Sequence, residues 1–264
     1  MTGMDDPYAF ESALASLEEL AAPVFRKILD GNVWPLESGD REILATFIAA
    51  QEVRVPSHRR FLDGMATELA RLRLIYMGRG GVARHIQETG GVAPSEKEID
   101  EIFDLVSEES GRTLKVSTNH HIAQIVNLID KNLKYYVARP WVLFRFDTGS
   151  LITSDSPVSL IPHPGHNPNM GTGLASAAGI MFPLSRKAGI FMAYPKNLFG
   201  IEGARDRVIA GQFDVLMPRS AADIAKSFNS VTINNSYEWL FHHPEDSHLV
   251  PLDLSGLSRL EGTT

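Results

Sequence analysis

Two short motifs carry the polar residues best suited to chemistry, and the first is QEVRVP, residues 51–56. Gln51 and Arg54 lie three residues apart, so on a helix they can face the same side. The arginine side chain offers a planar fork of donors that suits a carboxylate or a phosphate. Two interpretations stay open. Either Arg54 pairs with an acidic side chain and joins two segments, or it binds a ligand.

The second motif is SDSPV, residues 154–158, which follows a run of apolar residues typical of a buried strand. Pro157 keeps Ser156 extended and offers no backbone N–H to a strand ladder. Asp155 can bond to nearby backbone N–H groups in an Asx-type turn, which is the structural interpretation. The functional interpretation is that an acid at a strand end serves as a metal ligand or a general base. Both interpretations stay open.

Two pairs of adjacent histidines, His120–His121 and His242–His243, are the other natural ligand candidates. Adjacent residues point about 100° apart on a helix and to opposite faces of a strand, so neither pair has the i, i+4 spacing of a chelating motif. Cysteine is absent, which excludes thiolate catalysis, disulfides and cysteine-based zinc sites. A divalent ion held by oxygen ligands, such as Mg²⁺, stays open.

The composition sets the class of protein. The chain has 264 residues, 44% hydrophobic and 22% charged, with a formal net charge of −7. Those values are typical of a globular protein with a sizeable core, and the acidic balance argues against broad nucleic-acid binding. The acidic N-terminus lacks the apolar stretch of a signal peptide, and no run of about 18 apolar residues suggests a membrane span. We therefore expect a cytoplasmic protein.

The elements that must position these motifs are helical in the first half of the chain. Apolar residues recur at three- and four-residue steps in several segments. They predict helices from Asp6-Pro7 to Gly31, from near Asp40 to just before Pro56, from Ser57 to the GRGG sequence at 78–81, from Ser95 to about 109, and over 117–137. Residues 82–95 are predicted to be a loop, and Ser95 with Glu98 forms a capping box.

The pattern changes after residue 140. WVLFRFDTGSLITSD predicts two strands joined in a hairpin around Asp147 and Gly149, and GIMFPLSRKAGIFMAYP predicts two more around residues 185–188. A late helix over about 221–236 and a closing strand in EWLFHH complete the pattern. Helices followed by strands predict an α+β fold with a small antiparallel sheet. No linker divides the chain, so we expect one domain over 1-264.

In this order and spacing, the motifs resemble those of the family called domain of unknown function 4238, which is found mainly in bacteria. The resemblance runs from about Tyr8 to about His243 and depends on Q-x-x-R-x-P and S-D-x-P-V together. It implies a set of functionally important residues, namely Glu19 (or Glu18), Gln51, Arg54, Asp155 and Asn229. Family members commonly begin with an additional segment containing His-x-x-Pro, which we expect to be lacking here.

Two functions are compatible with that residue set. The first is a hydrolase acting on a phosphate-containing substrate such as a nucleotide or nucleic acid. In this role Asp155 and Glu19 are catalytic, Gln51, Arg54 and Asn229 bind substrate, and Mg²⁺ is the candidate cofactor. The alternative is a binding or sensor module in which the same residues form a buried structural network, with Arg54 as the partner of Asp155. In either case the expected partner is a small-molecule or phosphate-containing ligand.

Overall fold

Helices dominate the first half of the chain, as the spacing of its apolar residues predicts. The computed structural model describes residues 9–90, 92–105, 118–167 and 171–251. Its helices are α1 (Ala9–Leu29), α2 (Ser38–Val53), α3 (Pro56–Gly90), α4 (Glu96–Leu105), α5 (Thr118–Val137), α6 (Ala204–Ile209) and α7 (Ala222–Asn235). The predicted helix start at Asp6 and Pro7 lies outside the described residues. No helix in these ranges combines the length and the apolar character needed to cross a bilayer.

The strands follow α5 in the chain, so the predicted α+β fold is confirmed. They are β1 (Trp141–Arg145), β2 (Thr153–Ser154), β3 (Ser159–Ile161), β4 (Gly179–Ser185), β5 (Ala188–Ala193), β6 (Val215–Met217) and β7 (Leu240–Phe241). In the described ranges, five of them form a sheet in the order β3-β4-β5-β1-β6, and β2 pairs with β7 in a second, two-stranded sheet. The β1–β6 pair is parallel, whereas the other strand pairs are antiparallel.

The chain divides into two compact units, with boundaries between Val55 and Pro56 and between His121 and Ile122. The first unit holds α1, α2, most of α5 and both sheets. The second holds α3 and α4. The expectation of one domain over 1-264 stays a prediction.

The core of the first unit lies between its long helices and the five-stranded sheet. Its fully buried side chains include Ile28 of α1, Leu44 and Ile48 of α2, and Trp141 and Leu143 of β1. Burying a side chain of this size contributes about 1.5–3 kcal/mol, so this shared core fixes α1 and α2 against the sheet. Trp141, fully buried, is the largest of these packing residues.

A smaller core cluster joins α7 to the end of β1 and contains Phe146, Leu151, Ala225 and Phe228. Gly189 of β5 allows this close approach. A Cβ atom at that position would lie 2.8 Å from a ring carbon of Phe228 and 2.9 Å from a methyl carbon of Leu151. Any larger residue would therefore push α7 away from the sheet.

The predicted capping box in the second unit is confirmed, but the predicted loop over 82–95 is wrong as far as residue 90, and of its described residues only 92–95 are non-helical. The Ser95 hydroxyl accepts from the backbone N–H of Glu98 at 3.3 Å, and the Glu98 carboxylate accepts from the N–H of Ser95 at 2.7 Å. Gly78 breaks the regular helix with φ 59° and ψ 175°, as its sequence suggests, yet the chain is helical again through residue 90. A glycine can interrupt a helix without ending it when the following residues favour helix.

The predicted hairpin around Asp147 and Gly149 is also wrong. β1 pairs with β5 from Trp141↔Met192 to Arg145↔Ala188, and β2 pairs with β7. The intervening segment instead surrounds the turn between β4 and β5. The Phe146 N–H donates to the Lys187 carbonyl at 2.9 Å, and the Leu151 N–H donates to the Arg186 carbonyl at 2.8 Å. Gly149, with φ 88°, does lie in a turn. Long-range pairing nevertheless decides which strands form the sheets.

Candidate functional site

The Asp155 carboxylate is held by the backbone that follows α7. One of its oxygens accepts from the Tyr237 N–H at 2.9 Å, and the other accepts from Glu238 at 2.8 Å and Trp239 at 3.3 Å. The Asp155 N–H also donates to the Trp239 carbonyl at 3.1 Å. The motif SDSPV therefore fastens the end of β2 to the turn that leads into β7.

The buried Asn229 side chain fastens α7 to the segment just before β2. Its carbonyl oxygen accepts from the Ile152 N–H at 3.0 Å, and its amide nitrogen donates to the Ser150 carbonyl at 2.8 Å. Asn235, on the last turn of α7, donates to the carbonyls of Ser156 and Val158. We call Asp155, Asn229 and Asn235 the α7 brace, because together they join residues 150–158 to α7 and the turn after it.

The predicted residues on the helical side lie at the C-terminal end of α2. Gln51 is buried, whereas Arg54 is exposed and its guanidinium lies 3.3 Å from the Glu18 carboxylate of α1. Glu19 is exposed beside it. The expected pairing of Arg54 with Asp155 is therefore wrong, because Arg54 pairs with α1 and Asp155 with backbone N–H groups. By their hydrogen bonds and ion pairs, Arg54 joins α2 to α1, whereas Asp155 and Asn229 join residues 150–155 to α7 and the turn after it.

Sequence reasoning missed Glu52, the neighbour of Gln51, whose carboxylate accepts from the Asn132 amide at 3.4 Å. Burial raises the pKa of Glu52 from 4.5 to about 7, and the Asn132 hydrogen bond acts weakly against that rise. The fully buried Tyr136 hydroxyl close by has no hydrogen-bond partner among the described residues. Glu52 follows the buried Ile48 by four residues, which is the helical spacing that signals its burial.

Sequence reasoning also missed a buried ion pair between Arg41 of α2 and Asp214, just before β6. The Arg41 guanidinium lies 4.2 Å from the centre of the Trp141 ring, and Asp214 accepts from the Trp141 N–H at 2.8 Å. Burial raises the pKa of Asp214, while Arg41 and the Trp141 N–H act against that rise. Arg41 and Asp214 use these contacts within the protein and offer nothing to a ligand, and removing either partner would leave a buried unpaired charge.

A groove of about 260 Å³ lies beside the α7 brace. It is lined by Leu151, Ile152, Thr153, Pro183, Leu184, Ser185, Arg186, Phe241, His242 and His243. These residues come from the segment that includes β2, from the end of β4 and from the segment that includes β7. The α7 brace fixes two of those three segments, since Asn229 holds residues 150–152 and Asp155 holds the turn before β7.

One wall of this groove is charged. Arg186 donates to Asp246 through Nε at 2.6 Å and Nη2 at 3.0 Å, and Nη2 also reaches Glu245 at 2.9 Å. The Arg186 guanidinium lowers the pKa of the Asp246 carboxyl. His243 Nδ1 accepts from the Glu245 N–H at 3.3 Å, while His242 Nδ1 lies 2.9 Å from the His243 carbonyl oxygen. In the neutral imidazoles this pairing makes His243 Nε2 a donor and His242 Nε2 an acceptor.

Comparison with known proteins identifies the family to which the sequence belongs. The sequence matches the family described as Protein of unknown function (DUF4238) over residues 2–246. The chain belongs to this family. No curated protein and no solved structure matches the chain.

The DUF4238 motifs can now be placed on the structure. S-D-x-P-V supplies Asp155 of the α7 brace, and Q-x-x-R-x-P ends α2 where it contacts α1 and α5. Among the described residues no group of three or more histidine or acidic side chains is arranged to hold a metal ion. The roles assigned to Asp155, Glu19, Gln51, Arg54 and Asn229 as catalytic or binding residues stay predictions.

Proposed function

We propose that this DUF4238 protein is a ligand-binding module whose groove takes a small molecule, and that the family motif S-D-x-P-V builds the frame of that groove. The observation that carries the proposal is the α7 brace. Both Asp155 oxygens accept backbone N–H groups, and both polar atoms of the Asn229 side chain bond to backbone. Such fully paired side chains favour the structural network over a catalytic base and a substrate-orienting amide.

The groove differs from the brace because it combines apolar walls with polar groups, as small-molecule sites do. Leu151, Pro183 and Phe241 offer apolar surface, while the hydroxyls of Thr153 and Ser185 add short polar groups. The two imidazoles add a donor and an acceptor. This set suits a partly apolar ligand that carries hydrogen-bonding groups.

Electrostatics favours a neutral ligand over a phosphate. Arg186 is the positive residue of the charged wall, and it is paired with two carboxylates, those of Asp246 and Glu245. One positive and two negative charges leave this wall net negative while the histidines are neutral. A phosphate group would add to that negative charge. The phosphate-hydrolase hypothesis therefore has less support here than the binding module.

We place this module in the bacterial cytoplasm as part of the same proposal. The chain contains no cysteine, so its stability does not depend on an oxidising compartment. The Asp155 and Asn229 side chains complete their hydrogen bonds with protein backbone.

The test is a fragment screen observed by NMR on the full chain. Neutral heteroaromatic fragments of about 12 heavy atoms, at roughly −0.3 kcal/mol per atom, should bind with a Kd of about 2 mM. We expect them to shift the imidazole signals of His242 and His243 and the amide signal of Thr153. Inorganic phosphate at the same concentration should leave these signals in place.

A matched pair of variants locates the binding. Phe241 lines the groove and Trp239 does not, although both are exposed aromatic residues two positions apart. Phe241→Glu should abolish the fragment-induced shifts, whereas Trp239→Glu should retain them. Shifts that appear only near Gln51 and Arg54 would contradict the proposal. So would phosphate binding at the groove that depends on Mg²⁺, which would favour the hydrolase.

A further inference from the structure

The second unit carries a row of large apolar side chains on one face of α3. Met65, Leu69, Leu72, Ile75 and Tyr76 are between 46% and 92% exposed. We call these five residues the α3 stripe. Isolated exposed apolar residues are common, but a contiguous row of this kind marks an interaction surface. The stripe lies far along the chain from the groove residues and does not depend on the proposed function.

The spacing of the α3 stripe is that of a coiled-coil seam. Met65 and Leu72 are seven residues apart, as are Leu69 and Tyr76, and the steps along these four residues are four, three and four. Ile75 lies beside this seam at a g position. Apolar residues that alternate in this way occupy the a and d positions of a heptad, with Leu69 and Tyr76 at a and Met65 and Leu72 at d. Gly78, with φ 59°, breaks the helix just after the seam ends.

Charged residues flank the seam in a pattern that favours one relative orientation of two paired α3 helices. With Leu69 at an a position, Glu68 takes a g position and Arg73 takes the following e position. In a parallel pair of helices, a g residue of one chain faces the e residue five positions later in the other. Glu68 of one copy would then face Arg73 of the second copy, and the reverse contact would form as well. Opposite charges therefore meet twice in a parallel dimer.

Both charges are available for such contacts. Glu68 is exposed and lies 3.6 Å from Arg71, a long i,i+3 contact of the weak surface kind. Arg73 is exposed, and no ion pair is recorded for it within the described residues. In an antiparallel pair, g residues face g residues and e residues face e residues. Glu68 would then face Ile75 and Arg73 would face Ala66, with no charge complementarity.

We infer that the α3 stripe is where two copies of this chain associate, with α3 of one copy parallel to α3 of the other. The seam spans about two heptads, so the interface lies at the small end of specific interfaces, below about 1,200 Å². A dimer of that size dissociates on dilution, and we expect a Kd on the order of 10 µM. A basic amphipathic helix can also bind an anionic membrane surface, so vesicles form one arm of the test.

The first experiment is sedimentation velocity on the full chain from about 1 µM to about 200 µM. We expect the monomer to give way to a dimer across that range. Leu69→Glu should hold the chain in the monomeric form, because it places a charge at the centre of the seam. Val92→Glu is the matched control, an exposed apolar residue of the same unit outside the stripe, and it should dimerise as the parent does.

Charge exchange tests the orientation. Glu68→Arg alone should weaken the dimer about tenfold, because it turns two attractive contacts into repulsive ones. The double variant Glu68→Arg with Arg73→Glu should restore the parent affinity. Single and double variants that dimerise alike would overturn the parallel arrangement.

The absence of cysteine from the chain permits a clean cross-linking test. With oxidised glutathione as the oxidant, Leu72→Cys should form a disulfide-linked dimer, since a d position meets its own copy in a parallel pair. Glu88→Cys, an exposed position on the helix beyond Gly78, should stay uncrosslinked. A chain that is monomeric throughout the concentration series would overturn the inference. So would a stripe that binds vesicles of anionic phospholipid and loses that binding on Leu69→Glu, without forming dimers.

Discussion

Replacing Asp155 by alanine removes a side chain that holds the turn after α7. Three backbone N–H groups, those of Tyr237, Glu238 and Trp239, lose their acceptor together. The side chain is partly buried, so water reaches some of these donors in the variant but not all. The change should therefore destabilise the first unit and loosen the turn that leads into β7.

The size of the effect follows from the geometry. A hydrogen bond to a charged acceptor contributes about 1.5–3 kcal/mol, and the contact at 3.3 Å contributes less than those at 2.8 and 2.9 Å. Allowing for water in the vacated space, Asp155→Ala should cost about 3 kcal/mol. For a chain of this size that corresponds to a Tm lower by about 6–10 °C. Asp155→Asn keeps one acceptor and should cost about half as much.

Intrinsic fluorescence is the suitable assay because all three tryptophans, Trp34, Trp141 and Trp239, belong to the first unit. Asp223→Asn is the control. Asp223 lies on the same α7 but is exposed and pairs only with Lys226, so its replacement should leave the Tm unchanged. If Asp155→Ala melted with the parent, the carboxylate would not be a brace. A catalytic carboxylate, whose removal leaves stability unchanged or raises it, would then be the better interpretation.

Three further changes test the remaining buried polar groups. Asn229→Ala should lower the free energy of unfolding by about 2–3 kcal/mol, because it leaves a buried N–H and a buried carbonyl without partners; urea denaturation measures this. Asp214→Asn should cost about 3–5 kcal/mol, because Arg41 stays buried without its counter-charge; a thermal melt measures this. The raised pKa of Glu52 stabilises the fold below pH 4.5, and this contribution of about 3 kcal/mol is lost as the pH rises through 7. Glu52→Gln should remove that pH dependence from urea denaturation curves at pH 5 and pH 8.

Exposed residues of the same type give the controls for these changes. Glu19→Gln should leave the pH dependence unaltered, and Asn234→Ala, on the exposed side of α7, should leave the urea midpoint unaltered. A parent protein equally stable at pH 5 and pH 8 would show that the Glu52 carboxyl is hydrated in solution. An Asp214→Asn variant as stable as the parent would show that Arg41 finds other partners.

Local patterns predicted the parts of the fold that local chemistry controls. Ser95 and Glu98 form a capping box because the two side chains and two N–H groups lie within four residues. The β4–β5 hairpin formed as predicted, since its strands are joined by a two-residue turn. The predicted hairpin of β1 with β2 did not form, because β1 pairs with β5 and β2 pairs with β7, and both partners are remote in the chain.

In the candidate site too, neighbouring residues could be interpreted from the sequence, whereas contacts between remote segments could not. S-D-x-P-V was identified as a strand-end motif, and the turn interpretation of Asp155 was open, but its donors lie more than eighty residues away. Arg54 has its acid in α1 rather than at Asp155. The groove was not predicted, because its lining comes from three distant segments and its polar residues have no common motif.

The sequence by itself determined the helix-then-strand order and the family, because periodicity, capping and motif spacing are properties of neighbouring residues. Only the tertiary structure decided what those residues do. The contacts of Asp155 and Asn229 span nearly eighty residues or more of chain, and the groove, the α7 brace and the burial of Glu52 exist only after distant segments meet. A side chain's hydrogen-bond partners set its role, and long-range packing selects those partners.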